Sequence, residues 1–356
     1  MQKLIARSPF IIVLLVAACA STPPENQLQS EQATNAIQLL RSTPEEELQP
    51  TRWDQGSTTI SNESRLDLFH RGLTRTRGGV YVGVGSIQNY TLAAWTKSDF
   101  IYLVDFTRIV VAINKAHIAF IKASPTADEY LQLWETTGVE RARELLRNEY
   151  GNDPDYELID KAYTETRNYF RAYVRAMNTA TARYNYKIYY QDPEQYAYLR
   201  RMALADRMRA VKGNLLGDTT LRAIGETVQQ VHAPVNVLYL SNAEEYSIFK
   251  PYPAALRANV LGLPVGPDAV VLRTMSVYQW THSWAPGSDL LMDVGFHYGV
   301  QNLSDFQTCL RTGEHYVYDF FKMALDAGQT DNASGYSRLP GCPVLEPAAQ
   351  STNDVG

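Results

Sequence analysis

Val80-Tyr81-Val82-Gly83-Val84-Gly85-Ser86-Ile87-Gln88-Asn89 is the stretch that sets the fold class. Its first half is a β-branched apolar run, preceded by Gly78-Gly79. A glycine turn follows, and from Gln88 to Lys97 the pattern is helical, so the stretch predicts a strand, a turn and a helix. The next run, Phe100-Ile101-Tyr102-Leu103-Val104-Asp105, is continuously apolar and ends in an acid. That pattern fits a parallel strand covered on both faces.

Working outward, Thr107 to about Tyr184 shows threefold and fourfold apolar spacing broken at Gly151-Asn152-Asp153-Pro154, which predicts two or three helices. A further helix is expected from Pro193 to Met208, leading into the short strand Arg209-Ala210-Val211-Lys212-Gly213. Residues 107–208 thus read as a large helical insertion. Alternation then resumes with a helix from Thr219 to Val231, the strand Val235 to Leu240, a helix from Ala243 to about Leu261, and the strand Asp268 to Arg273. Strands separated by helices argue for an α/β fold with a doubly wound, mostly parallel sheet. Val277–Trp284 and Gly295–Val300 are expected as its antiparallel edge. Residues 51–305 form the body in this reading, and residues 306–356 a tail.

The amino-terminal Met1-Gln2-Lys3-Leu4-Ile5-Ala6-Arg7 carries two positive charges, and the run from Phe10 to Ala18 is apolar and ends in small residues. This is the pattern of an export signal over residues 1–18. The run is too short to cross a hydrocarbon core of about 30 Å, which takes roughly 20 helical residues. Val16-Ala17-Ala18-Cys19 resembles the lipobox of bacterial lipoproteins. The resemblance implies cleavage before Cys19 and acylation of that cysteine, with palmitate among the expected chains. It also implies a bacterial cell-envelope location, lipid-anchored and most readily at the outer membrane, because Ala20 is not an aspartate. Residues 19–50 are rich in Ser, Thr, Pro, Glu and Gln and poor in aromatics, so they read as a flexible tether spanning roughly 30 Å. The patch Ala36 to Leu40 is expected to be transiently helical.

The chain is 45% hydrophobic with a net charge of -5, a globular composition without a nucleic-acid footprint. Once Cys19 is set aside, Cys309 and Cys342 remain, and in an oxidising compartment they are most simply a disulfide pinning the tail. His282 and His297 have no metal-ligand spacing, so no metal is assigned.

Ligands of doubly wound sheets sit at the carboxyl ends of the strands. There the sequence places Gly83, Gly85, Ser86, Gln88 and Asn89 after the first strand, Asp105 after the second, Gly213 and Asn214 after the third, and Ser241 and Asn242 after the fourth. Each has a second, purely structural reading. Gly83 and Gly85 suit a tight turn, Asp105 and Ser241-Asn242 suit helix caps, and Gln88 and Asn89 suit a pinned loop. Tyr90, Tyr246 and Arg273 are candidates to wall the same cleft, whereas His117 is expected to pack on a helix.

The glycine turn, the acid closing the second strand and the polar pair after the fourth resemble the class I S-adenosylmethionine-dependent methyltransferase fold from Gly79 to Val300. More narrowly, Gly83 to Tyr90, Leu240-Ser241-Asn242-Ala243-Glu244 and Val271-Leu272-Arg273-Thr274 resemble an uncharacterised group of methyltransferase-like bacterial proteins. The resemblance implies that Gly83 and Gly85 admit the methionine part of the cofactor and that Asp105 binds its ribose. Tyr81 departs from that pattern where an acid is usual, and Ile87 where a third glycine is usual.

Three functions follow. The preferred one is an envelope lipoprotein that binds a small ligand or a protein partner and has lost or altered methyl transfer. A methyltransferase using S-adenosylmethionine or a related molecule stays open, since methyl transfer needs chiefly alignment of two bound substrates. So does a structural lipoprotein whose helical insertion contacts another envelope component.

Overall fold

The structure is a computed structural model that describes residues 24–276, 295–312 and 315–342. The export signal and Cys19 lie outside the described residues, as do the expected strand at 277–284 and His282. The described residues up to Gln38 belong to one unit and those from Leu39 onward to a second. A helix, α1 (Pro24–Arg41), runs through most of the segment read as a tether. In the second unit Leu40 is buried, and Tyr102 Oη donates to its carbonyl at 2.6 Å. No helix among the described residues is long and apolar enough to cross a membrane.

After the short α2 (Leu66–His70) come β1 (Val80–Val84), α3 (Gln88–Thr96) and β2 (Phe100–Asp105), as the quoted stretch predicts. β1 and β2 pair in parallel, with Val82 opposite Tyr102. Between β2 and the next strand stand α4 (Arg108–Ala123), α5 (Ala127–Gln132), α6 (Val139–Tyr150), α7 (Tyr156–Tyr184) and α8 (Pro193–Leu204). The insertion therefore holds more helices than expected. Pro125 and the turn at 136–138 interrupt a run whose apolar spacing reads as continuous. α8 stops four residues before the expected Met208. Asp206 takes φ 51°, and Met208 already opens β3 (Met208–Lys212), parallel to β2.

The chain continues through α9 (Thr220–Gln230), β4 (Val235–Ser241), α10 (Ala254–Leu261) and β5 (Val265–Ser276). The single helix expected from Ala243 to Leu261 is instead two short 3-10 turns, Ala243–Glu245 and Ser247–Phe249, followed by α10. Pro251 and Pro253 lack amide hydrogens and forbid the continuous ladder, so α10 begins directly after Pro253. Then follow β6 (Phe296–Asn302), α11 (Leu303–Thr312), α12 (Val317–Asp326), β7 (Thr330–Asp331) and β8 (Tyr336–Leu339).

The result is a mixed α/β fold with an eight-stranded, mostly parallel sheet in the order β3-β2-β1-β4-β5-β6-β8-β7. β6 pairs antiparallel with β5, but it is internal rather than an edge, because β8 and β7 extend the sheet beyond it. Those two strands come from the segment expected as a tail. The Cys309–Cys342 disulfide is present and joins α11 to the residues just after β8.

The insertion packs around an aromatic centre. His117 on α4 lies 4.6 Å from the Trp134 ring and 5.4 Å from Phe170, and its Nδ1 is 2.8 Å from Tyr130 Oη. Burial lowers the His117 pKa to about 3, so the ring is neutral and acts in packing.

Candidate functional site

The carboxyl ends of β3, β2, β1, β4 and β5 are crossed, in that order, by residues 43–65, a strap that precedes the first strand. At β3, Glu45 Oε2 accepts from Lys212 N at 3.0 Å. Glu46 accepts from Asn214 N and, at 3.2 Å each, from Thr219 N and Thr220 N. Its carboxylate thus satisfies free amides at the start of α9, where a helix favours negative charge. Beyond β2, Asp54 Oδ1 accepts from Ile109 N in the first turn of α4 at 3.0 Å. After β1, the Thr59 carbonyl accepts from Ser86 Oγ.

The strap is held to α7 where Thr59 Oγ1 meets Thr166 Oγ1 at 2.8 Å and where Gly56 lies against Glu165. A Cβ at Gly56 would come within 2.7 Å of the Glu165 Cβ, so only glycine lets the strap approach this closely.

Glu63 closes the crossing between β4 and β5. It is 1% exposed, and its Oε1 accepts from Ser241 Oγ at 2.8 Å and from Thr274 Oγ1 at 2.7 Å. Tyr239 Oη bonds its Oε2 and accepts from Gln88 Nε2 at 3.0 Å. Burial raises the Glu63 pKa against the lowering effect of the Tyr239, Thr274 and Ser241 hydroxyls. Glu245 lies close by. Its pKa rises to about 7, chiefly through burial, while Ser276 N and Asn242 Nδ2 donate to its two oxygens and the charge of Glu63 adds to the rise.

The expected site residues are gathered at these strand ends, but their polar atoms largely serve the chain itself. Asp105 accepts from Gly85 N at 3.0 Å through Oδ2 and from Thr107 N at 2.7 Å through Oδ1. Burial raises its pKa to about 6, with Asp54 contributing in the same direction. Asn89 accepts from Tyr81 Oη at 2.7 Å and donates to the Val84 and Ser86 carbonyls at 2.9 Å each. A Cβ on Gly83 would meet Asn89 Oδ1 at 2.1 Å and Tyr81 Cε1 at 2.6 Å. The space that glycine opens there is therefore filled from within the chain. Asn214 Oδ1 accepts from Leu216 N at 2.9 Å. Among these polar side chains, Gln88 Oε1 is buried with no hydrogen-bond partner among the described residues.

Other candidates disperse. Tyr90 sits in the aromatic centre, bonding Asn114 Oδ1 at 3.0 Å, and Tyr246 is exposed. Arg273 is buried 2.8 Å from Glu244, an ion pair angled away from a hydrogen bond, and also donates to Gln301 Oε1 at 2.8 Å.

These residues do not fit S-adenosylmethionine in the way the fold resemblance implies. Both oxygens of the acid expected to hold the ribose are engaged by backbone amides. Of the two glycines expected to admit the methionine part, Gly83 faces Tyr81 and Asn89 and Gly85 faces Gln88 Nε2, and the strap lies over the strand ends. Among the described residues no group of His, Cys, Asp and Glu is arranged to hold a metal ion. The sequence reading missed Glu45, Glu46, Asp54, Glu63, Tyr239 and Thr274. The one available signal was Glu63 in a short polar run just ahead of the apolar Leu66–Phe69, and it carries no periodicity.

No curated protein matches this chain. A family match covers residues 58–340, more than half of the chain, and that range takes in Glu63 and every strand of the sheet. The chain therefore belongs to the family described as a domain of unknown function, DUF7790.

Proposed function

We propose that this protein is a lipid-anchored envelope protein that binds a small ligand or a partner and no longer transfers methyl groups. One observation carries the reading. The strap places its own acids and carbonyls at the junctions where a cofactor of a methyltransferase-like sheet would be held, from Glu46 at α9 to Glu63 at β4 and β5. Fold alone does not give activity, and here the site residues are turned to internal hydrogen bonds. The lipobox-like Val16-Ala17-Ala18-Cys19 supports the anchor, with Cys19 as the acylated residue and the outer membrane as the location.

Calorimetry of the purified protein with S-adenosylmethionine tests the central claim. No saturable heat is expected from the wild type or from Asp105→Ala. Micromolar binding that disappears in Asp105→Ala would restore the methyltransferase reading. For the anchor, radiolabelled fatty acid should enter the wild type and not Cys19→Ser, and the variant should leave the membrane fraction.

A further inference from the structure

An open cleft of about 770 Å³ lies where α2, the end of α3, the end of α7 and the loop into α8 meet. None of the strand-end residues discussed above lines it. Three rings stand in series along it. His70 and Trp95 have centroids 5.0 Å apart at 75°, and Trp95 and Tyr186 are 6.4 Å apart at 68°. Tyr186 is fixed by donating its hydroxyl to the Ser64 carbonyl at 2.6 Å. Trp95 and Tyr186 are half-buried, as suits rings that offer apolar area to a ligand while held at one side.

The polar lining is mostly neutral. Asn178, Thr181, Asn185, Gln191 and Gln195 supply amides and a hydroxyl. Gln191 Nε2 bridges Asn178 Oδ1 at 2.8 Å and Thr181 Oγ1 at 2.9 Å, which orients the Asn178 amide and leaves its NH2 to donate elsewhere. Gln195 is 8% exposed, and its Oε1 has no hydrogen-bond partner among the described residues. A buried acceptor left unmet is costly, but it lies beneath the cleft surface, so the exposed amides carry the polar recognition.

The charges are mostly balanced or occupied. Asp67 is held by Arg65 through two hydrogen bonds, at 2.9 and 2.8 Å. Asp192 Oδ1 caps α8 by accepting from Glu194 N and Gln195 N. His70 has its pKa lowered by burial and by Arg77, so it is neutral at pH 7, and Lys187 and Asp192 bring one charge of each sign to the lining. Neither a strong anion nor a strong cation matches such a lining.

We infer that this cleft is a binding site for a neutral saccharide, whose C–H face packs on Trp95 and Tyr186 while its hydroxyls pair with the exposed amides of Asn178 and Asn185. An amide offers a donor and an acceptor side by side, matching vicinal hydroxyls, and an aromatic face covers the apolar side of a pyranose ring. The inference rests on the binding-protein reading but places the ligand away from the strand ends.

The test titrates the full chain, purified in a detergent without a sugar headgroup, with cellotetraose, maltotetraose and chitotetraose by calorimetry and saturation-transfer NMR. At least one should bind saturably. Trp95→Ala and the exposed-site variant Asn178→Ala should each weaken it about tenfold or more. Glu63→Gln, whose side chain meets Tyr239, Ser241 and Thr274 away from the cleft, should stay within roughly twofold. Absence of saturable binding by all three sugars, or equal binding by folded Asn178→Ala and Trp95→Ala, overturns the assignment. The S-adenosylmethionine titration is unaffected by either result, so the two readings fail separately.

Discussion

Replacing Glu63 by glutamine should flatten part of the pH dependence of stability. The carboxyl is buried among three hydroxyls, from Tyr239, Ser241 and Thr274, and burial holds its pKa above the ordinary 4.5. Below pH 4.5 the acid is neutral both folded and unfolded, and its contribution is complete. Above that value the unfolded acid ionises while the folded one resists. The wild type then loses up to about 1.4 kcal/mol per pH unit until the folded acid ionises as well.

Glutamine mimics the neutral acid. Its oxygen can accept from Ser241 and Thr274, and its NH2 can donate to the Tyr239 oxygen once that hydroxyl, which donates to the carboxylate in the structure, turns its hydrogen away. Glu63→Gln should therefore gain stability on the wild type as pH rises above 4.5, until the folded acid ionises. Alanine leaves three buried hydroxyls without their partner, at about 1 kcal/mol each, so Glu63→Ala should lose about 3 kcal/mol near pH 4.5, a gap that narrows as the wild type loses stability above it. Urea unfolding of the three proteins across this range measures the differences. If the wild type instead gains on Glu63→Gln as pH rises, Glu63 is an ionised acid held by its partners, and the account of a neutral plug is wrong.

Two further outcomes follow from the same geometry. Gly83→Ala forces a Cβ to within 2.1 Å of Asn89 Oδ1 and should cost about 1–3 kcal/mol of unfolding free energy by urea titration, with no requirement for a ligand. Cys342→Ser opens a disulfide spanning 33 residues, for which chain entropy gives about 3–4 kcal/mol. Its urea midpoint should fall to that of the reduced wild type, and a midpoint unchanged by reduction would contradict the pinning of α11 to β8.

The strands at the middle of the sheet are legible residue by residue. β1, β2 and β4 are short apolar runs bounded by glycine, acid or serine, and burial on both faces demands that composition. The break in the helical insertion at 151–154 is legible for the same local reason. The continuous helix expected from Ala243 to Leu261 fails at Pro251 and Pro253, which stand in the sequence and interrupt the amide ladder that the apolar spacing suggests. β7 and β8 are too short, and too polar outside Leu339, to stand out from a tail.

The strap lies beyond local reading altogether. Glu63 meets Tyr239, Ser241 and Thr274 across 176, 178 and 211 residues of chain, and Glu46 meets Thr220 across 174. What the sequence alone determined is the set of segments able to bury an apolar face, because periodicity and turn chemistry act within a few residues. Only the tertiary structure decided which polar groups share a space. Hydrogen-bond partners for buried groups are found wherever the folded chain brings them, without regard to their separation along it.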